Sequence, residues 1–184
     1  VGEVMQFRRA HEDYGVTLSG GEATMQWAFY IELLKAFRAN GLNTAVETNG
    51  VSPKFSESLP LLDHVMCDIK HMDGDTHKRL TGRSNRSILK NIRLTAAAKK
   101  SLWVRIPLVP GINDGDNIGK TIEFLLPMKE SLSVEVLGYH RLGVYKWKAL
   151  GLDYSLADVP AAPPELISEV EERFRNAGLT VIKT

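Results

Sequence analysis

The residues with chemistry to offer sit at the ends of short β-rich runs. Ser19-Gly20-Gly21-Glu22 closes the run Val16 to Ser19. With no Cβ at Gly20 or Gly21, backbone amides and carbonyls can approach a ligand there, and Glu22 adds a carboxylate suited to an ammonium. Glu47-Thr48-Asn49-Gly50 closes a second run, Asp68 and Lys70 close a third, Arg105 lies in a fourth, and His140 follows a fifth. From His64 to Lys70 the period of two sets Met66, Asp68 and Lys70 on one side and Val65, Cys67 and Ile69 on the other. Charges inside a strand are costly unless paired, so this polar row is not incidental.

Each feature also has a plainer reading. Gly20-Gly21 can be a tight turn, Asp68 with Lys70 a structural ion pair, and Arg105 a partner of Glu47 or a grip for a carboxylate. His140 can be a hydrogen-bonded interior histidine and Cys67 a small buried hydrophobe.

The elements that must position these residues alternate along the chain. The patterns predict strands over Val16 to Ser19, Asn43 to Thr48, His64 to Ile69, Leu102 to Leu108, Ser133 to Tyr139 and Thr180 to Lys183. Helices are expected over Val1 to about Asp13, Met25 to Asn40, Ser84 to Lys99 and Asn117 to Met128, with a last one opened by Pro163 and Pro164. Such alternation implies an α/β class with parallel strands and helical crossovers. Open sheets and barrels of this kind both place ligand sites at the C-terminal ends of their strands, where the polar set lies.

With 184 residues, 43% hydrophobic and 24% charged, one domain spanning 1–184 is expected. Lys and Arg number 23 against 22 Asp and Glu, and a net charge of +1 gives no field to attract nucleic acid or an anionic membrane. No apolar run approaches the roughly 20 residues that span a bilayer, and no signal-peptide order opens the chain, so a cytoplasmic location is expected. Cys67 is the sole cysteine, which excludes an internal disulfide and, by itself, a zinc or iron-sulfur site. The chain opens on Val1 within a helical pattern, which reads as a fragment.

Taken in order, Ser19-Gly20-Gly21-Glu22-Ala23, Glu47-Thr48-Asn49-Gly50, Asp68-Ile69-Lys70, Arg105 to Gly111, Tyr139 to Gly143 and Tyr145-Lys146-Trp147 resemble the radical S-adenosylmethionine (SAM) enzymes that activate glycyl-radical enzymes, the pyruvate formate-lyase-activating family. The resemblance implies a partial (β/α) TIM-like barrel, here missing its first strand. It also implies a 4Fe-4S cluster held by a CxxxCxxC loop that this sequence lacks and that would belong to the full-length protein only. On the same basis Gly20, Gly21 and Glu22 would receive the SAM ammonium, while Asp68, Lys70, Arg105 and His140 would surround its ribose, carboxylate and adenine. Glu47, Met66 and Asp68 match a monovalent-cation site, with Glu47 standing where the family has aspartate.

The implied partners are a glycyl-radical enzyme, pyruvate formate-lyase or a relative, and flavodoxin or ferredoxin as electron donor. No residue of the chain would act as base or nucleophile, and the fragment would be inactive alone and prone to self-association through an open sheet edge. Two other readings stand beside this one. Lys70 at a barrel strand end could form the Schiff base of a class I aldolase with Asp68 moving protons, or the chain could be a cluster-less SAM- or partner-binding module.

Overall fold

In the computed structural model, which describes residues 1–8 and 14–182, six parallel strands form one sheet whose spatial order is their order in the chain. Strand β1 (Gly15–Leu18) pairs with β2 (Asn43–Thr48), β2 with β3 (His64–Asp68), β3 with β4 (Ser101–Leu108), β4 with β5 (Ser133–Gly138), and β5 with β6 (Val181–Ile182). Helices α1 (Gly2–Arg8), α2 (Trp27–Ala39), α3 (Gly74–Thr81), α4 (Arg86–Ala97), α5 (Asp116–Leu125), α6 (Leu142–Ala149) and α7 (Pro164–Asn176), with 3₁₀ turns over Ala23–Gln26, Phe55–Leu61 and Leu126–Ser131, complete the described elements. The class is α/β, consistent with a partial barrel. β1 has a strand neighbour on one side only among the described residues.

The two faces of the sheet differ because its strands alternate. Val46, Val65, Val104, Ile106 and Val134 are buried against Leu34 of α2, Ile88 and Ile92 of α4, Ile118 of α5 and Phe174 of α7. Each such side chain contributes roughly 1.5–3 kcal/mol of transfer free energy. Residues of the opposite phase line a hollow of about 530 Å³ that includes Ser19, Glu47, His64, Met66 and Trp103. At its floor the His64 ring stands edge-on to Trp103 with centroids 4.6 Å apart, and His64 Nδ1 lies 2.7 Å from Ser101 Oγ.

Two helices have no counterpart in the sequence patterns. The stretch forming α3, GDTHKRLT, has no apolar stripe; Asp73 starts it by accepting from the Thr76 N–H at 2.8 Å. α6, LGVYKWKA, intersperses two lysines among its apolar residues and shows no periodic contrast. The helix expected to reach Met128 ends at Leu125 and tightens into a 3₁₀ turn over Leu126–Ser131, because Pro127 has no N–H to continue the ladder. Of the expected Val1 to Asp13 helix, residues 9–13 lie outside the described residues, as does Lys183 of the last strand.

Candidate functional site

The loop after β1 is held by its ends. Gly20 has φ of +128°, and a Cβ built at either Gly20 or Gly21 meets no heavy atom within 4 Å, so the pair packs on nothing. Glu22 anchors the downstream end. Its Oε1 accepts from the Thr24 N–H (3.1 Å), Thr24 Oγ1 (2.6 Å) and Thr48 Oγ1 (2.8 Å), and its Oε2 accepts from the Asn49 N–H (2.7 Å). Ser19 anchors the upstream end by donating from Oγ to Glu47 Oε2 at 2.5 Å. Backbone groups of Gly20 and Gly21 are thereby presented beside two carboxylates.

Asp68 and Lys70 share the inner face with Met66, as the period of two requires, and form an ion pair at 2.8 Å. Arg105 donates from Nη1 to Glu47 Oε1 (2.7 Å) and from Nε to Glu135 Oε2 (2.6 Å). The hydrogen bond from Ser19, then that from Arg105, hold the Glu47 carboxyl below the usual carboxylate range. Burial alone would depress Arg105, but its bonds to Glu47 and Glu135 outweigh that and raise it. Cys67 lies buried on the helix side of β3, and burial pushes its thiol far up.

Buried asparagines fix the strand-end loops, and the sequence reading did not single them out. Asn113 Nδ2 donates to the Lys70 carbonyl (2.9 Å) and the Pro107 carbonyl (2.8 Å), bridging the tops of β3 and β4. Asn91 does the same for the Gly50 and Ser52 carbonyls, both at 2.9 Å. Glu135 was also missed. A lone carboxylate in the strand SVEVLG, in phase with Ser133, was the available signal.

His140 is exposed beyond β5, with no hydrogen bond among the described residues, rather than bonded in the interior. Its neighbours are better anchored: Tyr139 donates its hydroxyl to the Leu156 carbonyl (2.9 Å), and Trp147 stacks on Tyr154 with centroids 5.4 Å apart. Burial, then the bond with Tyr139, push Tyr154 up to about 12. Between these residues and Lys70 lies an apolar pocket of about 360 Å³, also lined by Leu80 and Pro107. The structure thus brings Gly20, Gly21, Glu22, Glu47, Asp68, Lys70 and Arg105 to one end of one sheet, with His140 at its rim. No group of three or more His, Cys, Asp or Glu side chains among the described residues is arranged to hold a metal.

A parallel α/β sheet with backbone donors and both signs of charge at its strand ends has the chemistry to hold a small zwitterionic ligand. The chain belongs to the radical SAM superfamily, whose family model matches residues 1–125. Within it, the chain is 37% identical over 180 residues to the pyruvate formate-lyase-activating enzyme of Staphylococcus epidermidis, covering 92% of this chain and 72% of that protein. Identity to the same enzyme of Staphylococcus aureus strain USA300 is 38% over 162 residues, covering 83% of this chain and 64% of that one. A crystallised domain of pyruvate-formate lyase-activating enzyme from Bacteroides vulgatus superposes with a TM-score of 0.73 at 26% identity, over 92% of this chain and 98% of that one.

Proposed function

We propose that this chain is the SAM-binding domain of an enzyme that activates a glycyl-radical enzyme such as pyruvate formate-lyase. The observation that carries the reading is the convergence of the Gly20-Gly21 loop, the Asp68–Lys70 pair and the Glu47–Arg105 pair on one face at the C-terminal strand ends. SAM carries an ammonium, a sulfonium and a carboxylate, and this set supplies acceptors for the first two and a cation for the third. The relatedness to activating enzymes supports the partner class, and flavodoxin or ferredoxin fits as electron donor to such an enzyme.

In this family bound SAM is the source of the radical, and the residues of this chain bind and orient it. Gly20 and Gly21 present unobstructed backbone to the ammonium, Lys70 offers its ammonium group to the carboxylate, and Asp68 accepts from the ribose hydroxyls. The apolar wall of Leu80, Pro107 and Trp147 excludes water from the adenine side. A 4Fe-4S cluster needs several thiolate ligands, and Cys67, buried behind the sheet, does not fit that role. Each Glu47 oxygen accepts one hydrogen bond and keeps a second lone pair, so a monovalent cation at Glu47, Met66 and Asp68 is compatible with the reading.

A Schiff-base lysine is activated by desolvation or a neighbouring cation. The Lys70 side chain is instead 38% exposed and paired with Asp68, which leaves the aldolase reading without support. Calorimetric titration with SAM tests the proposal: weak binding by the parent chain, lost in Asp68→Ala and Lys70→Ala, is expected. No binding at millimolar SAM, or equal binding by the variants, overturns it.

A further inference from the structure

Neither glycine of the Ser19–Glu22 loop has packing of its own, so its position depends on its two anchors. The Glu22 anchor is local, reaching Thr24 and the end of β2. The Ser19 anchor is not. Ser19 bonds to Glu47, Glu47 is held by Arg105 across β3, and Arg105 is held by Glu135 on β5. Arg105 and Glu135 face each other directly in the β4–β5 register.

Glu135 is 2% exposed, and burying a carboxylate costs several kcal/mol unless it is paired. Its partner among the described residues is Arg105 Nε, a bond that fixes the plane of the guanidinium. With that plane fixed, Nη1 points at Glu47 and keeps Oε2 of Glu47 aimed at Ser19. Removing Glu135 leaves Arg105 held at one edge and free to turn about it. Among the described residues Glu47, 36% exposed, is held by Ser19 and Arg105, so an Arg105 that turns leaves Ser19 as its remaining partner.

We infer that Glu135 is a positioning residue: through Arg105 and Glu47 it holds Ser19, and with it the Gly20-Gly21 backbone, in the geometry that receives the ligand's ammonium. Arg105, with Nε and Nη1 engaged by two carboxylates, is part of this strut, and Lys70 is left as the cation for a ligand carboxylate. The functional role rests on the SAM reading above; the strut itself does not.

Backbone ¹⁵N relaxation separates the two. In the parent chain Gly20 and Gly21 are expected to show order parameters near those of a rigid backbone, about 0.85, falling toward about 0.6 in Glu135→Gln. Ser19→Ala, at the far exposed end of the strut, is expected to loosen the same glycines, and the double variant no further. Val136→Ala, a cavity in the core on the opposite face of the same strand, controls for loss of stability and is expected to leave the loop rigid. Glycines already mobile in the parent, unchanged by Glu135→Gln, or equally loosened by Val136→Ala overturn the inference. In SAM titrations Glu135→Gln is expected to weaken binding about tenfold, and unchanged affinity removes the functional role. If the glycines loosen while no chain binds SAM, the strut stands and the SAM reading fails.

Discussion

Glu22 reaches from the loop after β1 to the backbone N–H of Asn49, 2.7 Å away at the end of β2, so one carboxylate closes both strand-end loops. Its other oxygen gathers Thr24 and Thr48. Replacing Glu22 strands an amide on each loop.

Glu22→Ala is therefore expected to cost about 1–3 kcal/mol of stability, the range for donors left without acceptors. Urea unfolding measures it. A loss below about 0.5 kcal/mol, ordinary for a surface substitution, would show that water replaces the carboxylate without penalty.

Gly50 lies under a second constraint. Its φ is +68°, and a Cβ there would stand 2.7 Å from Cys67 Sγ and 3.3 Å from Ile88 Cγ2. Gly50→Ala is expected to lower stability by at least about 2 kcal/mol, from overpacking together with the left-handed backbone. In a Cys67→Ala background the same change should cost only about 1 kcal/mol, the backbone part. Thermal unfolding of the four chains gives the comparison, and equal costs in both backgrounds would rule out the sulfur contact.

Acid sensitivity follows from Glu47. Its folded pKa is lowered from the ordinary 4.5 by the Ser19 hydrogen bond and then by Arg105. A carboxyl depressed in the folded state contributes stability that is fully present above the unfolded value and is lost as pH falls through the folded one. Stability should thus decline below pH 4.5, and Glu47→Gln should flatten that part of the decline while lowering stability at neutral pH. Parallel slopes for parent and variant in urea titrations at stepped pH would contradict the assignment.

Among the described residues β1 is paired on one side only, which leads to a prediction about association. Phe29, which shares a pocket with Leu18 of β1, is 60% exposed and Met25 73%, and a strand edge unpaired among the described residues near apolar surface recruits further strands. Light scattering over a range of concentrations should record dimers or larger species. A constant monomer mass would show that the edge is already blunted.

The strands and the division of β3 into a ligand side and a helix side were legible because alternation reports burial directly: Cys67 and Val65 are buried with the helices while Asp68 and Lys70 meet on the other face. The Arg105–Glu47 pair was legible as an alternative. What escaped lacked a periodic signature. α3 is initiated by the Asp73 cap and not by an apolar stripe, and α6 has no contrast between its sides. Glu135 and Asn113 escaped because their importance comes from partners 30 and 43 residues away, which spacing along the chain does not reveal.

The sheet's neighbour-to-neighbour order bears on how the molecule is made. Each described strand from β2 on lies against the one synthesised immediately before it, with Gly15 beside Asn43 and Ala45 beside His64, so on leaving the ribosome it finds a partner already made. Each pairing closes a single crossover segment, and the loop entropy to be overcome at each addition stays nearly constant as the chain grows. The sheet can accordingly lengthen in step with translation, β2 docking on β1 and so on to β6, with the leading edge at every stage serving as the template for the next strand.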